Sequence, residues 1–276
     1  MNIQQREVKF ITENYRADFE ISMNNYSLYL ETGLESTSVL RSSYSREIYE
    51  IPISGVGYAK YCLMDTQYKA NGETEFRKWS FAKDADFYNC LFCLQDKDLK
   101  DDYCRGGLRD SPIPNLTDSF SKFPKLPSVY LLVMQAIDII TFDAFMCMAN
   151  SDLYQVVFST DYQSVDEMVQ RHIGIGAGVY SKKSYYLNDR LYVRLAGETL
   201  YKGEECWIVD YSSEPSDIYV EHSKIRTARK SKSLYSGCIY LSKKDGDILY
   251  GELDEDIISM GKKREYSKRN VILKRL

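Results

Sequence analysis

Histidine is nearly absent. His172 and His222 are the only two in 276 residues, so a histidine-based triad or a multi-histidine metal site has little material to draw on. Glycine and proline are scarce, at 15 and 6, which excludes a collagen-like or low-complexity chain. The N-terminus, MNIQQREVKFITENYR, lacks the apolar core of a signal peptide. The longest apolar stretch, Val129 to Ala149, is interrupted by Gln135, Asp138 and Asp143, and two carboxylates in its middle argue against a membrane span. A repeat of solenoid length is also missing.

An excess of positive charge is absent overall, since the net charge is −4, and a globally basic nucleic-acid binder is excluded. The charge is uneven, however. From His222 to Leu276 there are 14 Lys and Arg against 7 Asp and Glu. Such an end can face an anionic surface, or it can be a solvated sheet face. The run Lys224, Arg226, Arg229, Lys230, Lys232 has no interleaved aromatics, so nucleic-acid stacking is not expected. It reads as a basic connection.

Seven cysteines, at 62, 90, 93, 104, 147, 206 and 238, follow no disulfide-framework spacing. Several sit in apolar runs, where a thiol packs as a small hydrophobe, and the pattern favours a reducing compartment. Cys90-Leu-Phe-Cys93 is one CxxC with a single further cysteine nearby and no histidine. That falls short of a zinc set, and no βαβ context supports a redox motif. Gly174-Ile-Gly176-Ala-Gly178 is G-x-G-x-G, one residue short of the dinucleotide fingerprint, and strand-like residues follow it. Asp96-Lys-Asp98-Leu-Lys-Asp101 has lysine where a calcium loop needs a ligand. No metal or cofactor is expected.

What the chain has in quantity is tyrosine, 24 against 11 Phe and 2 Trp. Tyrosine suits strands, where the ring packs on the pleat and the hydroxyl reaches water. Strand-like runs recur at Ser38–Tyr49, Tyr58–Tyr68, Thr74–Phe81, Arg190–Ala196, Glu205–Tyr211, Leu234–Leu241, Ile248–Leu253 and Tyr266–Leu273. Asn71-Gly72, Lys202-Gly203 and Lys244-Asp245-Gly246 mark turns between them. Residues 1–35 are expected to form a helical lead-in, and 36–276 a single domain. A buried helix is expected over 128–149. The fold class expected is α+β: a curved antiparallel sheet, or half-barrel, wrapped around that central hydrophobic helix.

Two C-terminal stretches resemble a known family. One runs from Leu191 to Tyr211 (LYVRLAGETLYKGEECWIVDY), the other from Tyr235 to Leu249 (YSGCIYLSKKDGDIL). Together they are similar to the segment that follows carboxypeptidase-regulatory-like domains in Gram-negative envelope proteins, which resembles the half-barrel of outer-membrane lipoprotein carriers (LolA-like). Tyr44-Ser-Arg-Glu47, Tyr58 to Lys69 and Arg105-Gly-Gly107 look like further strands and a turn of that family. Leu63-Met-Asp65 stands where the family carries a glutamate, and Ser242-Lys243 where an Ile-Asp step is usual. The resemblance implies an apolar concave sheet face, no catalytic residues and an envelope role, in the periplasm or at the outer membrane. Without a signal peptide, the cytoplasm is the alternative.

The function expected is therefore a non-enzymatic binding or assembly module. Its sheet face, with Val193, Trp207, Val209, Tyr211 and Ile239, would hold an apolar ligand, a lipoprotein or a peptide partner. Two alternatives stand beside it: a hydrolase using aspartates such as Asp138 and Asp143 or a metal, and a protein docking on an anionic membrane surface through its basic C-terminal region.

Overall fold

A computed structural model describes residues 15–50, 56–80, 86–93, 163–164, 185–187, 191–222, 227–261 and 264–276. Thirteen strands form one sheet: β1 (Tyr15–Tyr29), β2 (Leu34–Glu50), β3 (Val56–Ala70), β4 (Arg77–Ser80), β5 (Asp86–Cys93), β6 (Gln163–Ser164), β7 (Tyr185–Leu187), β8 (Leu191–Tyr201), β9 (Glu204–Ser213), β10 (Ser216–His222), β11 (Thr227–Ser242), β12 (Ile248–Met260) and β13 (Arg264–Arg275). Every pairing is antiparallel.

The strand order is β4-β3-β2-β1-β13-β12-β11-β9-β8-β6. Both β4 and β5 lie along the far edge of β3, while β9 and β10 share one edge of β11. Between β9 and β10, Glu214-Pro215 interrupts the ladder, since Ser212 faces Ser236 and Ser216 faces Ser233. The extra residue on this side is the signature of a bulge. β1 pairs with β13 over Phe19 to Tyr29, which joins the meander of the first hundred residues to that of the last hundred.

The turns follow their residues. Lys202 and Gly203 both have positive φ, 50° and 85°, as a two-residue turn with the twist of its strands requires. Gly33 at 66° closes the β1–β2 turn by donating its N–H to the Tyr29 carbonyl at 2.8 Å.

The α+β expectation is overturned. Strand makes up 83% of the described structure, which is one open antiparallel sheet without a helix. The helix expected over 128–149 lies outside the described residues. Tyr15–Tyr29, expected to be helical, is a strand. Its Ala17, Phe19, Ile21 and Met23 are buried while Arg16, Glu20 and Asn24 are exposed, a period of two rather than 3.6. The basic connection expected over 224–232 is from Thr227 onward the start of β11, with Ser231 and Ser233 buried and Lys230 and Lys232 exposed.

Register places the core on one face. Phe19, Ile21 and Met23 of β1 lie opposite Tyr44, Ser42 and Leu40 of β2. Ile21 and Met23 also face Leu273 and Val271 of β13, and Val271 faces Leu253 of β12. All of these apolar side chains are fully buried. The outer face alternates with them and carries residues such as Glu20, Asn24, Asp254 and Lys268.

Candidate functional site

Along β9, Trp207, Val209, Tyr211 and Ser213 are buried and the residues between them are partly exposed. Ile239 lies opposite Val209, Leu241 opposite Trp207, and Gly237 opposite Tyr211. Val193 of β8 is in backbone register with Tyr211 on the other side. The five residues singled out from the sequence thus occupy one stretch of three neighbouring strands. Sequence reasoning missed that this stretch continues through Leu253 and Val271 into Ile21, Met23 and Leu40. The signal was present in the every-second-residue apolar pattern of β1 and β13.

Two aromatics on this belt are anchored. Tyr211 crosses Gly237 and donates its hydroxyl to the Glu252 carbonyl of β12 at 2.8 Å. A Cβ at Gly237 would sit 1.8 Å from that carbonyl oxygen, so glycine is what allows the ring to lie there. Trp207 lies under the Lys243 ammonium, 4.2 Å from the ring centroid, and Lys243 pairs with Glu198 at 2.5 Å. These rings have fixed orientations and present a defined edge to the belt.

The belt is bounded at each end by charge. At one end Arg46 and Asp247, both fully buried, form an ion pair. Asp247 also accepts the Ile248 N–H at 2.8 Å. The Arg46 guanidinium lies 4.7 Å from the centroid of Phe19, which stacks on Tyr44 at 5.3 Å. Arg275 reaches Asp245 at 2.9 Å and Glu204 at 3.0 Å, and sits 3.6 Å from the second Asp247 oxygen. Burial works to raise the Asp245 carboxyl, yet the Asp247 N–H and the Arg275 charge outweigh it and hold the group below its ordinary value. At the other end Glu255 is fully buried, pairs with Arg269 and accepts from Ser233. Ser231 and Ser259 share a hydrogen bond of 2.8 Å. Arg229 donates to Ser259 at 2.7 Å and to Glu265 at 2.6 Å.

Each of these carboxylates is already engaged by a guanidinium or a hydroxyl, so the arrangement is built to hold shape rather than to shuttle protons. Among the described residues, no cluster of three His, Cys, Asp or Glu is placed to bind a metal ion. Cys90 and Cys93 both fall within β5. Asp138, Asp143, the Gly174–Gly178 run and the Asp96–Asp101 run lie outside the described residues.

The outer face holds a separate aromatic group. Tyr240 lies 5.0 Å from Tyr250 and 5.7 Å from Tyr201, centroid to centroid. Burial raises all three hydroxyl pKa values. Cys238 beside them is pushed up to about 11, first by burial and then by the carboxylates of Glu252 and Asp210. A thiol so shifted is protonated at neutral pH and a poor nucleophile.

No family model matches the sequence, and no curated protein matches it. Among the solved structures that resemble it in part are the following three. A lipovitellin chain, from a structure of lipid–protein interactions, has a TM-score of 0.48 at 11% identity, with 97% of this chain and 25% of that one covered. This chain therefore spans about a quarter of the lipovitellin chain. A DUF1329 family protein from Desulfovibrio piger has a TM-score of 0.17 at 10% identity, with 94% and 85% covered. A domain described as an outer membrane lipoprotein-sorting protein, from Vibrio parahaemolyticus, has a TM-score of 0.17 at 7% identity, again with 94% and 85% covered.

Proposed function

We propose that this chain is a non-enzymatic binding module that keeps an apolar ligand, an acyl chain or a lipidated peptide, against the buried face of its sheet. The observation that carries the reading is the belt itself. Ile21, Met23, Leu40, Val209, Ile239, Leu253, Val271 and Leu273 are at most 1% exposed and share one face of the described sheet. A sheet must have its apolar face covered, and whatever else covers this one, hydrocarbon is the chemistry it accepts. The ion-paired groups at the two ends disfavour hydrocarbon beyond the belt. From Ala17 to Met23 the belt runs about 20 Å, at ~3.3 Å per strand residue, so it suits a tail of limited length. An envelope location belongs to the same proposal and rests on the resemblance of 191–211 and 235–249 to lipoprotein carriers; cell fractionation tests it separately.

Native mass spectrometry and thermal shift with fatty acids, lysophospholipids and acylated peptides test the binding. A ligand at 100 times its Kd stabilises the folded state by about 2.7 kcal/mol. The expected result is one bound molecule, an optimum in tail length, and weaker binding in Ile239→Asp if that variant folds, or in Val209→Ala if it does not. Failure of every amphiphile to bind or stabilise the protein refutes the proposal.

A further inference from the structure

The face that carries the belt changes chemistry at one level across neighbouring strands. Met23 of β1 lies opposite Leu40 and Val271, and Val271 opposite Leu253. All four are fully buried. Two residues further along, Asn25 lies opposite Ser38 and Arg269, and Arg269 opposite Glu255. Two further again, Ser27 lies opposite Ser36 and Ser267. Across β12 that row meets the half-buried Ile257 and then Ser233 of β11. Exposure changes at the same level. Asn25, Ser27, Ser36, Ser38 and Ser267 are part-exposed, whereas Arg46 and Asp247 at the opposite end of the belt are fully buried. The belt is therefore dry at its Arg46 end and meets water at its Asn25 end.

The shelf beyond the belt is polar without carrying net charge. Among the described residues of β1, β2, β11, β12 and β13 its charged members are Arg229, Arg269, Glu255 and Glu265. They form two guanidinium–carboxylate pairs, Arg269 with Glu255 and Arg229 with Glu265. The rest of its polar groups are hydroxyls and an amide. The Asn25 amide donates to Ser38 at 3.3 Å, and Ser27 and Ser267 share a hydrogen bond of 2.9 Å. Such groups both donate and accept, as a headgroup hydroxyl does. A charged headgroup finds no such match, because it must compete with a pair already made and leave one member of it opposed. We propose, resting on the apolar-ligand function above, that the ligand is an amphiphile with an uncharged, hydroxyl-bearing headgroup, glycerol or a sugar. Its tail lies along β1 toward Phe19. Its headgroup rests on Asn25, Ser27, Ser38 and Ser267, at the end of the belt where polar atoms keep their contact with water.

Titration calorimetry and native mass spectrometry of the full chain with four amphiphiles of one tail length test it: a monoacylglycerol, an alkyl glucoside, a fatty acid and a lysophosphatidylglycerol. The two uncharged ligands should bind about 10-fold more tightly than the two anionic ones, the worth of one or two hydrogen bonds. Ser38→Ala/Ser267→Ala, both part-exposed, should erase that preference with little change in melting temperature. A diazirine on the last tail carbon of the monoacylglycerol should label the chain around Phe19 and Tyr44. The proposal is overturned if the anionic ligands bind as tightly as the uncharged ones, if the alanine variant keeps the full preference, or if the label falls beside Ser27. In each of those cases the belt still holds a tail and only the headgroup assignment fails. If none of the four binds, the ligand face itself is refuted and the headgroup assignment with it.

Discussion

Replacing Gly237 with alanine adds one methyl group at the point where three strands are tied together. The new Cβ would lie 1.8 Å from the Glu252 carbonyl oxygen, 2.8 Å from its carbon and 2.6 Å from the Tyr211 hydroxyl. Two of these are backbone atoms of β12, so no rotamer change relieves the contact. Either β11 and β12 part locally or Tyr211 leaves its place and gives up its hydrogen bond to Glu252. Overpacking of this kind costs about 1–3 kcal/mol, and the lost hydrogen bond about 1 kcal/mol more, for a total of about 2–4 kcal/mol. Urea unfolding followed by tryptophan fluorescence and circular dichroism should give a lower midpoint with an unchanged slope. Tyr211→Phe alone should cost about 1 kcal/mol, since the ring still covers Gly237. Combined with Gly237→Ala, it removes one of the clashing atoms, so the double variant should be more stable than the sum of the singles predicts. A Gly237→Ala protein within about 0.5 kcal/mol of the parent would refute the close approach on which the fixed Tyr211 depends.

Breaking the buried ion pair with Asp247→Ala strands Arg46 and should cost about 3–5 kcal/mol. Arg46→Met/Asp247→Leu should recover much of that loss, and chemical denaturation of both proteins checks the order. Cys238 gives an alkaline signature. Its folded value of about 11 lies above the ordinary 9.0, so the folded state holds its proton more tightly. The stabilisation is complete below about pH 9 and fades as the pH rises toward 11. Melting temperatures across that range should fall less in Cys238→Ala, while thiolate absorbance in the parent should emerge near pH 11 rather than 9.

Most strands of the C-terminal half were legible because turn chemistry and alternation agree there. Lys202-Gly203 and Lys244-Asp245-Gly246 both punctuate runs such as Cys206 to Tyr211, where every second residue is apolar. β1 was legible as well and was misread: Asp18, Glu20, Ser22 and Asn24 alternate strictly with Ala17, Phe19, Ile21 and Met23, a period of two that the expected helical lead-in overlooked. The basic start of β11 misled for a different reason: the buried members of its alternation are Ser231 and Ser233, which no hydropathy pattern flags. Serine is tolerated there because each hydroxyl has a partner, Ser259 and Glu255. The tyrosines divide by the same logic. Tyr44, Tyr211 and Tyr235 are buried, whereas Tyr26, Tyr240, Tyr250 and Tyr266 lie part-exposed on the outer face.

β12 shows why the ionic groups matter to function more than to total stability. Within Ile248–Met260 one strand supplies Leu253 to the apolar belt, Glu255 to the buried pair, and Ile258 and Met260 to the outer face. A slip of one residue would turn Asp254 and Ile258 inward and Leu253 and Glu255 outward, exchanging the two surfaces. Hydrophobic burial alone penalises that slip only partly, because both faces of this strand carry aliphatic residues. The Arg269–Glu255 and Arg46–Asp247 pairs penalise it fully, since either guanidinium would be left buried without its carboxylate. They act as register pins at the two ends of the belt. Replacing a pair with well-packed aliphatics should therefore preserve the melting temperature while loosening the register that keeps the buried and the outer face apart.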